Sequence, residues 1–188
     1  MVTRFEAFRI LTTYLKNPNL IKHSLATEAA MAGICKFLLV EPDQETLTNW
    51  QITGLLHDAD YELVRNHPEE HGIMITEKVK LPDEIAYAIK AHNYQNTKIN
   101  PISPLDWAIS CCDQLTGLIV AAALVSPTKK LESMSPEFVL KRFYEKSFAK
   151  GADRVSIITC EEKLGIPLLK FIEIVLNSMK EIAMPLGL

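Results

Sequence analysis

Apolar residues recur every three to four positions along nearly the whole chain, and strand-like alternation is almost absent. The spacing predicts a helix from about Arg4 to Lys16, broken by Asn17-Pro18-Asn19. A second helix starts near Leu20 and carries Leu25, Ala29, Ala32 and Lys36 at helical intervals. Pro42 and Asp43 supply a break and an N-cap for a third, which runs up to the doublet His57-Asp58. His67-Pro68-Glu69-Glu70 reads as a helix start, with proline in the first turn and acids favouring the dipole. Leu81-Pro82-Asp83-Glu84 starts another, reaching His92. The polar segment Asn93 to Pro101 reads as a loop. Ser103 and Asp106 have capping-box spacing and open a long apolar helix through about Leu124, which Ser126-Pro127 ends. Further helices are expected over 135–147, 154–164 and 167–183. Val155 to Thr159 is the best strand candidate, and helix is still preferred there. The pattern predicts an all-α class, a single globule of about eight or nine crossing helices without repeat or linker.

Composition narrows the function classes. A chain of 188 residues that is 48% hydrophobic fits one domain with a substantial core. A formal net charge of -3 gives no electrostatic footprint for polymeric nucleic acid, although one phosphate could still be neutralised locally. Cys35, Cys111, Cys112 and Cys160 make no CxxC spacing and read as reduced core thiols. The N-terminus does not have the form of a secretory signal. The apolar stretch Gly117 to Val125 falls short of the ~20 residues that span a bilayer. The expectation is a cytoplasmic protein with no membrane partner, its oligomeric state open.

The candidate chemistry is concentrated in one part of the chain. All five histidines lie between His23 and His92. Imidazole with carboxylate favours divalent transition metals. Gly54 sits one turn before both members of the doublet, at roughly 1 kcal/mol of helix propensity relative to alanine, which suggests a need for space. His23 is followed by Ala26, Thr27 and Ala30. Asp113 lies in an otherwise apolar helix beside Ser110, Thr116 and Gly117, and a buried carboxylate there needs a cation or a hydrogen-bond partner. A single histidine, or a His-Asp dipeptide alone, carries almost no specificity. The ordered set His23, His57-Asp58, His67 or His71, His92 and Asp113 carries far more.

That set resembles the HD superfamily of metal-dependent phosphohydrolases. The residues that carry the resemblance are His23 in Lys-His-Ser-Leu-Ala, His57 and Asp58 in Leu-Leu-His-Asp-Ala-Asp, and Asp113 in Cys-Cys-Asp-Gln-Leu-Thr-Gly. It covers about residues 21–124, leaving 125–188 as a helical C-terminal extension. The resemblance implies an all-helical fold in which these four residues hold one divalent ion (Fe, Mn, Ni, Mg or Zn). Two-metal members recruit further histidines, here His92 with either His67 or His71, and the Asp of the doublet commonly bridges the ions. His67 has the spacing from the doublet that two-metal members more often show. Two departures stand out. The subgroup motif His-Asp-Ile-Gly is here His-Asp-Ala-Asp, and the Gly-Tyr-Pro element of cyclic dinucleotide phosphodiesterases has no counterpart near His92.

The resemblance therefore implies a hydrolase that uses a metal-activated water on a small phosphorylated metabolite or nucleotide. Asp58 is expected to orient the water, with Asp60 and Glu62 as candidate base or leaving-group acid. Lys129 and Arg154 are candidate phosphate-binding cations. A di-iron oxygenase would use the same ligands, and a nucleotide-sensing module that retains a metal without turnover is the third reading.

Overall fold

The structure, a computed structural model, describes residues 2–188. Its helices are α1 (Arg4–Tyr14), α2 (Pro18–Leu38), α3 (Gln44–Leu56), α4 (Ile73–Lys78), α5 (Asp83–His92), α6 (Tyr94–Thr97), α7 (Pro104–Val125), α8 (Pro136–Tyr144), α9 (Arg154–Leu164), α10 (Leu168–Glu181) and α11 (Ala183–Leu186). Single 3-10 turns occur at Pro68–Glu70 and Leu131–Ser133. Among the described residues there is no strand, and the fold is an all-α single domain.

The starts follow from local chemistry. Asn17 caps α2 through the amide of Asn19, with Pro18 at the first position, so the helix begins before Leu20. Asp43 accepts from the amide of Thr46 and caps α3. Ser103 and Asp106 form a reciprocal capping box on α7. Val155 to Thr159 is helical, within α9.

Two apolar clusters make up the interior. The larger joins α2 and α7 to the C-terminal helices through Met31, Leu115, Ile119, Phe171 and Leu176. The smaller joins α1, α3 and α5 through Leu11, Ile52, Leu55 and Ile85. Leu25 of α2 touches both. The backbones of α2 and α3 approach so closely that a Cβ on Gly54 would lie 2.7 Å from the Thr27 carbonyl oxygen. Alanine there would force the two helices apart, which explains the glycine. By length and composition α7 could cross a membrane, but Leu115, Leu118, Ile119 and Ala122 are fully buried against neighbouring helices.

Two segments differ from the periodic reading. The stretch opening at His67 is not one helix: a 3-10 turn leads to Gly72 in the left-handed region (φ 86°), and α4 starts only at Ile73. A side chain on Gly72 would also meet the Ile89 carbonyl oxygen at 2.5 Å, so this corner is set by glycine rather than by periodicity. The polar stretch after His92 contains α6, whose four residues make too little periodic signal to read.

Candidate metal centre

Four helices and the turns between them bring the imidazoles and carboxylates together. His23 projects from the second turn of α2, and Asp113 from the middle of α7. His57 is the C-cap residue of α3, still in helical conformation, and Asp58 opens the tight turns that follow. His92 ends α5, and His71 sits at the corner before Gly72.

The donor atoms form two groups that share Asp58. One atom each from His23, His57, Asp58 and Asp113 lie within 4.8 Å of one another, as do atoms of Asp58, His71 and His92. In the first group, His23 Nε2 is 2.9 Å from Asp113 Oδ1 and 3.5 Å from Asp58 Oδ2. His57 Nε2 is 3.4 Å from Asp58 Oδ1 and 3.5 Å from Asp113 Oδ1. In the second, His71 Nε2 is 3.1 Å from Asp58 Oδ1 and 3.2 Å from His92 Nε2.

Every one of these four histidines turns Nε2 inward, while Nδ1 faces an acceptor outside. His57 Nδ1–H donates to the Gly54 carbonyl at 2.9 Å, and His92 Nδ1–H to the Ile89 carbonyl. His71 Nδ1–H donates to Asp60 Oδ1 at 2.8 Å. Thr116 Oγ1, which gives its own proton to the Asp113 carbonyl, lies 3.3 Å from His23 Nδ1. A proton on Nδ1 leaves the lone pair on Nε2, the form that coordinates a metal. His57 Nε2 is fully buried and has no hydrogen-bond partner. An orphaned buried nitrogen is costly unless something accepts its lone pair. Two-thirds of this donor set is imidazole and the rest carboxylate, which suits a divalent transition ion, so the residues present fit one.

Electrostatics point the same way. Burial opposes protonation of His57, but the carboxylates of Asp58 and Asp113 outweigh it and raise its pKa to about 9. Burial also opposes protonation of His71, and Asp58 and Asp60 raise it to about 10. His92 goes the other way, down to about 4, through burial and the nearby His71 and His57. Burial disfavours the charged form of Asp58 and Asp113, yet the surrounding imidazoles hold both carboxyls well below the usual range. The centre thus attracts positive charge strongly.

The other candidate residues stand elsewhere. His67 is exposed, 3.4 Å from Glu69, and belongs to neither donor group. The proline after it keeps the His67 backbone out of the helical region (φ -133°, ψ 67°). Asp60 is fully buried, and its carboxylate accepts from His71 Nδ1 and from the amides of Gly72 and Ile75. No face of it is left for a water or leaving group; it orients His71 instead. Glu62 accepts from the amides of Lys16 and Asn17, pinning the α1–α2 junction. Lys129 is exposed, with its backbone in the left-handed region. Arg154 spends its guanidinium on the carbonyls of Phe143, Phe148, Ala149 and Ala152, fixing the loop before α9.

A pocket of about 300 Å³ opens beside the cluster, floored by Asp58, His71, His92 and Asp113. The far wall includes Asn93, Gln95, Gln114 and Asp153, none of which the sequence reading singled out. Gln114 gave a signal that could have been used, an amide next to Asp113 in an apolar helix. Its Nε2 donates to Asp113 Oδ2 at 2.7 Å, and its Oε1 accepts from the Asp153 amide at 2.9 Å. Asp153 gave none, because a helix N-cap explains it fully.

The HD domain family model matches residues 20–118, more than half of the chain. Neither the curated proteins nor the solved structures that were searched returned a match.

Proposed function

The chain belongs to the HD domain family, and from that premise we propose that it is a metal-dependent phosphohydrolase acting on a small phosphorylated molecule. The observation that carries this reading is the inward-facing set of Nε2 atoms around Asp58, with the His57 nitrogen buried and unpartnered. His23, His57, Asp58 and Asp113 would hold one divalent ion, and Asp58, His71 and His92 a second. Such ions, when bound, acidify a coordinated water and polarise a phosphoryl oxygen.

The chain's own residues supply position and charge. Asp58 lies between both donor groups and faces the pocket, where its carboxylate, ionised throughout the neutral range, can accept a hydrogen bond from an attacking water. Asp60 fixes the ring of His71, and Gln114 fixes the carboxylate of Asp113. Phosphoryl transfer needs in-line placement and charge neutralisation more than covalent participation, and a pair of bound ions beside this pocket would supply the neutralisation.

Metal analysis of the purified protein, followed by a panel of phosphate esters assayed with the metal found, tests the reading. Release of phosphate that disappears with chelator and returns with metal is expected. Stoichiometric metal without release from any ester would overturn it. Oxygen consumption with a visible absorption band would assign the same ligands to an oxygenase.

A further inference from the structure

The pocket beside Asp58 is unusual in its charges. Among the described residues its lining holds no lysine or arginine, although phosphate sites ordinarily recruit them. Opposite the ligands the wall is uncharged and polar, with Gln95, Asn96, Gln114 and Ser156, apart from one carboxylate, Asp153. Lys98 is tied to the Gln95 carbonyl at 2.6 Å and does not line the pocket.

Asp153 is held from several sides. Its amide donates to Gln114, which in turn holds Asp113. Its carboxylate accepts from Gln95 Nε2 at 2.9 Å, from the Ser156 hydroxyl at 2.6 Å and from the Val155 amide at 2.9 Å. The preceding loop is locked by the Arg154 guanidinium. Burial works against its ionisation, but the bonds from Ser156 and Gln95 prevail and keep its carboxyl below the usual range. A carboxylate has about four lone-pair sites, and with the Ser156 amide also bonded to it these donors fill them, so Asp153 acts on a ligand through its charge. The result is a fixed negative charge facing a site that takes anions.

The consequence is a limit on substrate charge. Two divalent ions among the carboxylates of Asp58 and Asp113 leave enough positive charge for one phosphate dianion. A second phosphoryl group would meet Asp153 and amide walls instead of a cation, and an unpaired like charge in the pocket is unfavourable. The volume lies at the small end of ligand pockets. Resting on the hydrolase reading above, we propose that the pocket takes the monophosphate ester of a small polyhydroxylated molecule, of the sugar phosphate class, whose hydroxyls meet the amide and hydroxyl wall, and that the fixed charge of Asp153 sets this specificity by excluding a second phosphoryl group.

Calorimetric binding to the manganese-loaded protein tests this. The probes are non-hydrolysable phosphonate analogues of glucose 6-phosphate and of glucose 1,6-bisphosphate, with inorganic phosphate as reference. The monophosphonate is expected to bind more tightly than inorganic phosphate, and about tenfold more tightly than the bisphosphonate. Asp153→Asn keeps a side chain that caps α9 equally well, and should narrow the mono-to-bis ratio by about tenfold. Should that variant lose its fold by circular dichroism, Asn96→Lys adds a cation at an exposed position of the same wall and should raise bisphosphonate affinity selectively. A bisphosphonate that binds wild type as well as the monophosphonate overturns the proposal. So does a monophosphonate no better than inorganic phosphate, or an unchanged ratio in a folded variant. Turnover of the two esters is measured in parallel. Absence of turnover with the expected binding order counts against the hydrolase reading alone, while equal turnover of both counts against the specificity alone.

Discussion

The two halves of the candidate metal centre share Asp58 but are built differently. His23, His57 and Asp113 are carried by the helices α2, α3 and α7, and the bonds that hold His57 and Asp113 come from those same helices, the Gly54 carbonyl and Gln114. His71 and His92 stand at a glycine corner and a helix end, and the ring of His71 depends on one buried carboxylate, Asp60. Asp58 and Asp60 are two residues apart in one turn-rich segment and do opposite things. One faces the pocket among nitrogen lone pairs; the other is sealed inside, bonded to backbone amides. Chemical type does not separate them. Position in the turn does.

The largest effect should come from breaking the helix-borne half. Asp113→Ala removes a carboxylate that lies 2.9 Å from His23 Nε2, and should abolish the first ion and phosphate release together. The loss is expected to exceed the roughly 10–100-fold that removal of a supporting residue costs. Full metal occupancy by elemental analysis would mean that Asp113 is only a structural acid.

Asp60→Ala tests the turn-borne half. It strands His71 Nδ1 and the amides of Gly72 and Ile75, at about 1–3 kcal/mol for each unsatisfied donor. Affinity for the second ion should fall roughly 10–100-fold while the first is kept, as measured by manganese titration. Equal loss at both sites would contradict the division of the centre into two halves.

These two halves also differ in how readable they were. The helices that carry His23 and Asp113 show clean 3.6-residue periods, so the sequence places each on an apolar helix, and the family resemblance is what groups them. Gly54 signalled a need for space beneath the doublet, and the close approach of α2 at Thr27 is its reason. The choice between His67 and His71 was not readable, because it depends on the left-handed turn at Gly72 and on which imidazole Asp60 holds. Spacing along the chain favoured His67, and the corner turns His71 inward instead. Asp60 and Glu62 read as free acids because their partners are backbone amides 12–15 and 45–46 positions away, which no local pattern reveals. Arg154 likewise gave no sequence hint that four carbonyls would surround it.

A smaller effect separates the halves by pH. In the ion-free protein the raised pKa values, about 9 for His57 and about 10 for His71, leave both protonated at neutral pH. Ion uptake must displace those protons, so apparent affinity should rise with pH, levelling near 9 at the first site and near 10 at the second. His92, pushed down to about 4, should contribute no proton above that pH. The same shifts stabilise the ion-free fold below the ordinary histidine range, and that stabilisation is lost as pH rises through about 9 to 10. Manganese titrations at several pH values would show the two slopes, and pH-independent binding would contradict them.

The smallest effect is expected at His67. It is exposed and bonded only to Glu69, so His67→Ala should change stability by no more than about 0.5 kcal/mol and leave metal content intact. His71→Ala should lose the second ion. The reverse pattern would restore the spacing argument.

The most direct test is anomalous diffraction from manganese-soaked crystals. The account predicts two peaks flanking Asp58, one among His23, His57 and Asp113 and the other against His71 and His92. A single peak with His71 and His92 turned away would contradict the shared, two-part centre, and no peak at Asp58 would contradict the metal assignment itself.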